Sequence, residues 1–332
     1  MFASLMTIEE NVILAPYTTF RIGGPARFFA RVKNVDELRE ALDFARAQNQ
    51  QLLILGGGSN VLIDDDGFDG LVIKMEMEGA VFDNELVVAD AGESWDALVE
   101  KATRKDLWGI ENLSGIPGTV GAAPMQNIGA YGQELAKSVL WVETLDKKSG
   151  NILRFDNSRC DFGYRTSHFK RDGGHIILKV ALKLHKNGAP DVSYRDLSAL
   201  KLQTLPEVRA AVLDVRSKKF PDLSKEGTAG SFFLNPVVPA LKADELARIF
   251  PDLPQFPAQD GVKISLAWLL DRALRAKGLR IGGARLFERQ PLVVAAGRNA
   301  AAGDIRALAA KIKDLVRENF DIELDEEVKI IG

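Results

Sequence analysis

The chain has 332 residues, 46% of them hydrophobic, which is enough for two or three domains and a substantial core. Its 43 basic and 46 acidic residues give a net charge of −3, so composition offers no electrostatic footprint for nucleic acid, though a local basic pocket for a small anion remains possible. One cysteine, Cys160, excludes an intrachain disulfide and points to a reducing compartment; three histidines (His168, His175, His185) with that cysteine do not make a convincing zinc site, and no metal is expected.

The opening segment, "MFASLMTIEENVIL", has neither a cationic start nor a long apolar stretch, so neither a signal peptide nor a membrane span is expected, and a cytoplasmic protein is the default. "VDELREALDFARAQ" (35–48) has apolar residues at helical spacing and predicts a helix. "QLLIL" predicts a strand, ended by Gly56, Gly57 and Gly58, then Ser59, Asn60 and a second apolar run, "VLI". "GLVIKM" and "AVFDNELVVADAG" read as strands and turns, followed by a helix with Ser94 as N-cap. "NILRFD" and "HIILKVALKLH" read as further strands. The first region is therefore α+β with many short strands.

After Lys186 the character changes. "KNGAPDVSYRDLSAL" is a polar, Gly/Pro-punctuated connection, and "PEVRAAVLDVRSKKF" predicts a helix. A second region begins at Gly227 with "GTAGSFFLNPVV", contains a helical "ISLAWLLDRA" and an amphipathic "GDIRALAAKIKDLVRENF" capped from Asp304 or slightly earlier, and its last segment, "IELDEEVKIIG", reads as a strand.

Three successive glycines cost conformational entropy and need a reason. The dinucleotide fingerprint G-x-G-x-x-G/A is not met, because Val61 stands at the third small position and strand rather than helix follows. Two readings stay open at this point: a plain glycine-rich hairpin, or a nest of backbone N–H groups for a phosphate, with Ser59 and Asn60 adding side-chain donors. A second stretch favours the latter. "ENLSGIPGTVGAAPMQNIGAYGQE" (111–134) shows little helix or strand pattern over more than twenty residues, has few charges and keeps several apolar residues. Long structureless loops inside compact domains are usually functional or disordered, and this composition argues against disorder.

The segments "TTFRIGGPA", "LGGGSNVLI" and "GIPGTVGAAPMQNIGAYG" resemble the flavin-binding segments of the UDP-N-acetylenolpyruvoylglucosamine reductase (UDP-N-acetylmuramate dehydrogenase) family. The resemblance continues in order through "CDFGYRTSHFK", "GTAGSFFLNPVV", "SLAWLLDRA" with "GLRIGGARL", and "LDEEVKIIG", covering nearly the whole chain. It implies an α+β fold with a vanillyl-alcohol-oxidase (PCMH)-type FAD-binding region over 1–218, its core about 17–186 in two subdomains. A smaller UDP-sugar substrate-binding domain would occupy 219–332, with the C-terminal strand returning to the active site.

The implied cofactors are bound FAD and NADPH as hydride donor. The implied partner is a small molecule, UDP-N-acetylglucosamine enolpyruvate, with no nucleic acid and no membrane, in a monomer. In the implied reaction NADPH reduces the flavin, flavin N5 gives hydride to the vinyl carbon, a proton reaches the neighbouring carbon, and UDP-N-acetylmuramate forms. That is a step of peptidoglycan synthesis, hence of cell wall biogenesis, cell shape and cell division. By the same resemblance FAD contacts fall on Gly56, Gly57, Gly58, Ser59, Asn60, Gly115, Ile116, Pro117, Gly118, Thr119, Gly121 and Ala122.

Arg165 matches the family arginine, whose donor fork suits developing carboxylate charge. Ser231 matches the proton donor. Glu327 matches the glutamate that assists Arg165, chosen over Glu326 because the family places it directly before the valine. Lys219, with Lys218 as near alternative, would meet the diphosphate; phenylalanine at 220 stands where the family usually has leucine. Tyr194 resembles the mobile-loop tyrosine of the longer-loop subclass, and Tyr164, Asn235 and Gln290 match further substrate contacts. Taken without the resemblance, each of these residues reads more readily as an ordinary polar surface, turn or strand-edge residue. Two rival functions are another flavin oxidoreductase of the same fold, such as an alcohol or sugar oxidase, and a non-catalytic nucleotide-sugar-binding flavoprotein. The intact trio Arg165, Ser231 and Glu327 argues against both.

Overall fold

The computed structural model describes residues 6–332; the first five residues, which begin the segment read above for a leader, lie outside it. The chain divides into two compact units. One contains residues up to 12, 26–58 and 68–216; the other contains 13–25, 59–67 and 217–332. The second unit therefore draws two short N-terminal segments into a body built mainly from the C-terminal third.

The first unit holds two large sheets. In the four-stranded sheet, Phe68–Met75 runs parallel to both Pro25–Val32 and Gln51–Leu55, with Ile8–Ile13 at the edge. Such parallel neighbours need a crossover, and the helix Val35–Ala47 lies in the one that follows Pro25–Val32. Asn34 caps this helix, its Oδ1 accepting from Glu37 N at 2.9 Å, while the Glu37 carboxylate accepts from Lys33 N at 2.7 Å. The helix buries Leu38, Ala41, Leu42 and Ala45, the i, i+3, i+4, i+7 stripe visible in the sequence, against Ala30, Val32, Leu71 and Ile73.

The second sheet is antiparallel throughout. Its order is Ile152–Asp156, Val139–Asp146, His175–Lys183, Leu86–Asp90, Ala80–Asp83. The helix Trp95–Arg104 is capped by Ser94, as expected, and shares a core with Val87, Ala89, Val180 and Leu182.

The second unit has a three-stranded sheet of Val237–Val238, Gly261–Ile264 and Gln255–Ala258. Another joins Arg280–Ile281, Ala284–Leu286 and Val294–Ala296, and Lys329–Ile331 pairs in parallel with Val61–Ile63. The helix Ala302–Phe320 buries Ile305, Leu308, Ala309, Ile312 and Val316 in this unit's core. It begins two residues before Asp304. That carboxylate accepts from Ala301 N at 3.1 Å and Gly283 N at 2.9 Å, so Asp304 works from the first turn and not from the cap position. Two expectations are corrected. "ISLAWLLDRA" is not a regular α-helix but a short turn, Leu266–Trp268, running into a π-helical turn, Leu269–Ala273. In "IELDEEVKIIG" only Lys329–Ile331 is strand. No helix among the described residues is long and apolar enough to cross a membrane.

Candidate active site

Within the first unit the two glycine-rich stretches lie against each other. A Cβ on Gly57 would stand 2.7 Å from Gly118 Cα, and one on Gly56 would stand 2.5 Å from Thr119 Oγ1. The glycines at 56 and 57 are therefore required by the approach of one loop to the other. Only Gly58 of the three has a positive φ, 61°, so left-handed backbone does not account for Gly57. No helix follows the turn, in agreement with rejection of the dinucleotide motif.

The second loop is less irregular than its sequence suggests. It is a series of one-turn 3-10 helices at Glu111–Leu113, Val120–Ala122, Pro124–Gln126 and Leu135–Lys137, with the two-residue strands Gly129–Ala130 and Gln133–Glu134. Hydrogen bonds supply the order that a hydrophobic pattern does not. Trp95 N donates to Gly118 O at 3.1 Å, and Trp95 Nε1 to Leu113 O at 3.0 Å. Val120 N and Gly121 N donate to Glu93 O and Ala91 O, both at 2.9 Å. The buried Asn112 donates through Nδ2 to Tyr131 O and Asp191 O, both at 2.8 Å.

Several contributors to this region carry no motif in the sequence. Asp96 accepts from Gly115 N at 2.6 Å and pairs bidentately with Arg209 at 2.6 and 2.9 Å. Burial opposes ionisation of Asp96, but these hydrogen bonds outweigh it and hold the carboxyl below its ordinary value. Arg216 lies where a Cβ on Gly115 would meet its Cδ at 3.1 Å, and burial lowers its pKa from the usual arginine value. Lys74 Nζ donates to Gly56 O at 2.6 Å, and burial pushes that ammonium below its ordinary range. These cations come from a strand and a helix far along the chain, so no local spacing could have flagged them.

The two loops fit a diphosphate-bearing cofactor. Gly56–Gly58 and Gly115–Ala122 include no acidic side chain, Pro117 and Ala122 are exposed, and Gly56, Gly57, Gly115 and Gly121 are half-exposed. Backbone dipoles without a Cβ in the way, near Lys74, suit an anion. Ile116 packs its half-buried side chain against the first unit's core.

Arg165 also belongs to the first unit. It has φ 53°, is half-buried, and donates through Nη2 to Gly129 O at 2.9 Å in the glycine-rich loop; it is not an ordinary surface arginine. Its guanidinium lies 5.8 Å from the ring centre of the exposed Tyr164. Tyr194 packs edge-on against Tyr131 at 5.2 Å between ring centres, at the N-cap of the short helix Arg195–Ser198 within the polar connection.

The second unit gathers the other candidates around one extended segment, 231–233. Ser231 is half-buried and pairs with Val293; Phe232 N donates to Leu292 O at 2.8 Å. On the opposite edge Glu327 N donates to Phe232 O at 2.9 Å. Gly230, just before the serine, has φ 81°, a conformation that glycine adopts without strain. Gln290 sits in the turn leading to Val293, whose N donates to Gln290 O at 2.9 Å. Phe220, next to Lys219, packs against Phe287 and Val293.

Asn60 Nδ2 donates to Glu327 O at 2.9 Å, so Asn60 and its neighbour Ser59 belong to this unit and help fix the glutamate's backbone. Glu326, the adjacent glutamate, is engaged by Lys313 at 2.7 Å. Asn235 Oδ1 accepts from Leu266 N at 3.0 Å, a structural bond beside any contact with substrate. Ser231, Glu327, Gln290 and Lys219 are thus neighbours within one unit, while Arg165, Tyr164 and Tyr194 lie in the other.

Residues 26–156 match the model of a family described as an FAD-binding domain. Residues 222–331 match that of the UDP-N-acetylenolpyruvoylglucosamine reductase C-terminal domain. The chain is 39% identical over 335 residues to a UDP-N-acetylenolpyruvoylglucosamine reductase of Pseudomonas aeruginosa, covering 97% of this chain and 98% of that one. It is 41% identical over 338 residues to the reductase of that name from Neisseria gonorrhoeae, covering 97% of each. With the Escherichia coli protein of that name it shares 38% over 331 residues, 97% of this chain and 96% of the other. The crystal structure of the Thermus caldophilus reductase superposes with a TM-score of 0.72 at 27% identity, over 99% of this chain and 100% of that one.

Proposed function

From the premise that the chain belongs to the UDP-N-acetylenolpyruvoylglucosamine reductase family, we propose how its own residues carry out the family's reaction. The enzyme is an FAD-dependent oxidoreductase of α+β fold that reduces UDP-N-acetylglucosamine enolpyruvate in peptidoglycan synthesis. FAD, held by Gly56–Gly58 and Gly115–Ala122, with Ser59 and Asn60 continuing the turn, supplies a two-electron hydride carrier, and NADPH is the reductant. The FAD-binding part is of the vanillyl-alcohol-oxidase type.

The residues of this chain divide the remaining work. Ser231 holds the proton destined for the carbon beside the substrate carboxylate, its backbone kept in place on both edges by strand-like bonds. Arg165 presents a guanidinium, held by Gly129 O, to carboxylate charge as it develops. Glu327 assists that stabilisation. Lys219 neutralises the diphosphate, while Tyr164, Tyr194, Asn235 and Gln290 orient the nucleotide-sugar.

One observation supports this reading most: Ser231 and Glu327, almost a hundred residues apart, both border Phe232, Ser231 as its chain neighbour and Glu327 through the 2.9 Å bond from its N to Phe232 O. An anaerobic visible spectrum tests the reading. The flavin band should bleach with NADPH and return on addition of the enolpyruvyl substrate. In Ser231→Ala bleaching should stay near the parent rate while the return slows by about 100-fold or more. Equal slowing of both halves, or return only with oxygen in the parent enzyme, would remove the assignment.

A further inference from the structure

A cluster in the first unit plays no part in the reaction above. His168, Asp172 and His175 each direct one ligand atom into a space where all three lie within 4.8 Å of one another. His168 opens and Asp172 closes the single helical turn His168–Asp172, and an i, i+4 pair shares one helix face. Gly173, with φ 67°, reverses the chain, and the strand His175–Lys183 starts two residues later, which returns His175 to the same face. His175 Nε2 is 3.6 Å from Asp172 Oδ2, too long for a hydrogen bond. The two imidazole centres are 5.6 Å apart, and both rings rest against Phe155, at 5.1 and 4.9 Å.

A separate observation concerns the far side of His175. Its Nδ1 lies 3.3 Å from Oγ1 of Thr144, which is fully buried, and that hydroxyl can donate to Leu153 O at 3.5 Å. With its proton directed to the carbonyl, the threonine oxygen accepts from Nδ1–H, which leaves the lone pair on Nε2, the atom facing Asp172. An imidazole whose second nitrogen is held by a buried acceptor is the arrangement that orients metal-binding histidines.

We infer that His168, Asp172 and His175 form a binding site for one divalent transition-metal ion of the zinc, nickel or copper class. Two neutral imidazoles and one carboxylate select that class over calcium or magnesium, which prefer oxygen donors. Three protein ligands leave a fourth position to water. Bonds of about 2.1 Å in a tetrahedral site put ligand atoms about 3.4 Å apart, so the cluster must contract on binding. Asp172, whose side chain is 44% exposed and whose Oδ2 accepts from Gly174 N at 2.9 Å, is the ligand that moves, while His175, at 10%, is fixed by its surroundings.

The ion would staple the helical turn to the sheet strand behind it. Ser167, the cap of that turn, donates to Met125 O at 2.7 Å, and Arg165 lies two residues further back, so the staple would stiffen the segment that carries Arg165.

The test uses the full-length, tag-free, FAD-loaded protein, stripped with chelator and dialysed against Zn2+. The expected result is one zinc retained per chain and a raised thermal midpoint. Asp172→Asn and His168→Gln should each weaken retention at least tenfold and abolish the thermal shift. Thr144→Val should weaken it about tenfold through the lost Nδ1 acceptor, and His185→Gln, on the exposed third histidine, should change nothing. Because Asp172 is exposed, its variant remains folded and informative. Absence of retained zinc in the parent, or zinc that survives both ligand variants, overturns the site.

Discussion

Gly57→Ala tests the packing of the two loops directly. The new Cβ would lie 2.7 Å from Gly118 Cα, 3.2 Å from its carbonyl carbon and 3.4 Å from its nitrogen. Carbon atoms in good contact sit about 3.5–4.0 Å apart, so the loops must separate by about 0.9 Å, and since the neighbour is backbone, no rotamer change can absorb the clash. Overpacking of this kind costs about 1–3 kcal/mol. If cofactor binding has to restore the original spacing, that cost reappears as a loss of affinity of about 5- to 150-fold. Titration of flavin-free protein with FAD, followed by fluorescence quenching, measures it. Gly303→Ala serves as the control, because nothing lies within 4 Å of its Cβ. An unchanged FAD affinity in Gly57→Ala would refute the argument that this contact positions the cofactor loops.

Other outcomes are equally specific. Asp96→Asn should lower stability by about 2 kcal/mol, a figure reduced from the usual cost of stranding a buried charge because the Asp96 side chain is 37% exposed while Arg209 is 13%. Since the folded pKa of Asp96 is depressed, its contribution is present above the unfolded value of about 3.9 and disappears as pH falls through the lower folded value. Chemical or thermal melts of parent and variant should therefore differ at neutral pH and converge in acid; a constant difference would contradict the assignment. Cys160 is buried, and burial pushes its thiol up to about 12, so thiol reagents should label it only after unfolding. Lys219→Ala should raise KM for the UDP-sugar with little change in flavin reduction, and an unchanged KM would reassign the diphosphate contact.

Local rules were enough to read the helix Val35–Ala47 with its Asn34 cap, the helix after Ser94 and the strands of the first unit, because periodicity and capping act over a few residues. The ordered motifs likewise pointed to the family and to Arg165, Ser231 and Glu327 as candidates. What the loops do with their glycines depended on tertiary structure. Gly57 is a position of close approach, a fact carried entirely by Gly118, sixty-one residues away. The second loop read as structureless because its order comes from hydrogen bonds to Ala91, Glu93 and Asn112 and not from a hydrophobic period. That Lys313 pairs with Glu326 is likewise a contact between distant positions which no local pattern announces. His168, Asp172 and His175 were left without a role because their meeting depends on a one-turn helix reversing at Gly173, and side-chain convergence of that kind is fixed by the path of the chain through space and not by its local composition.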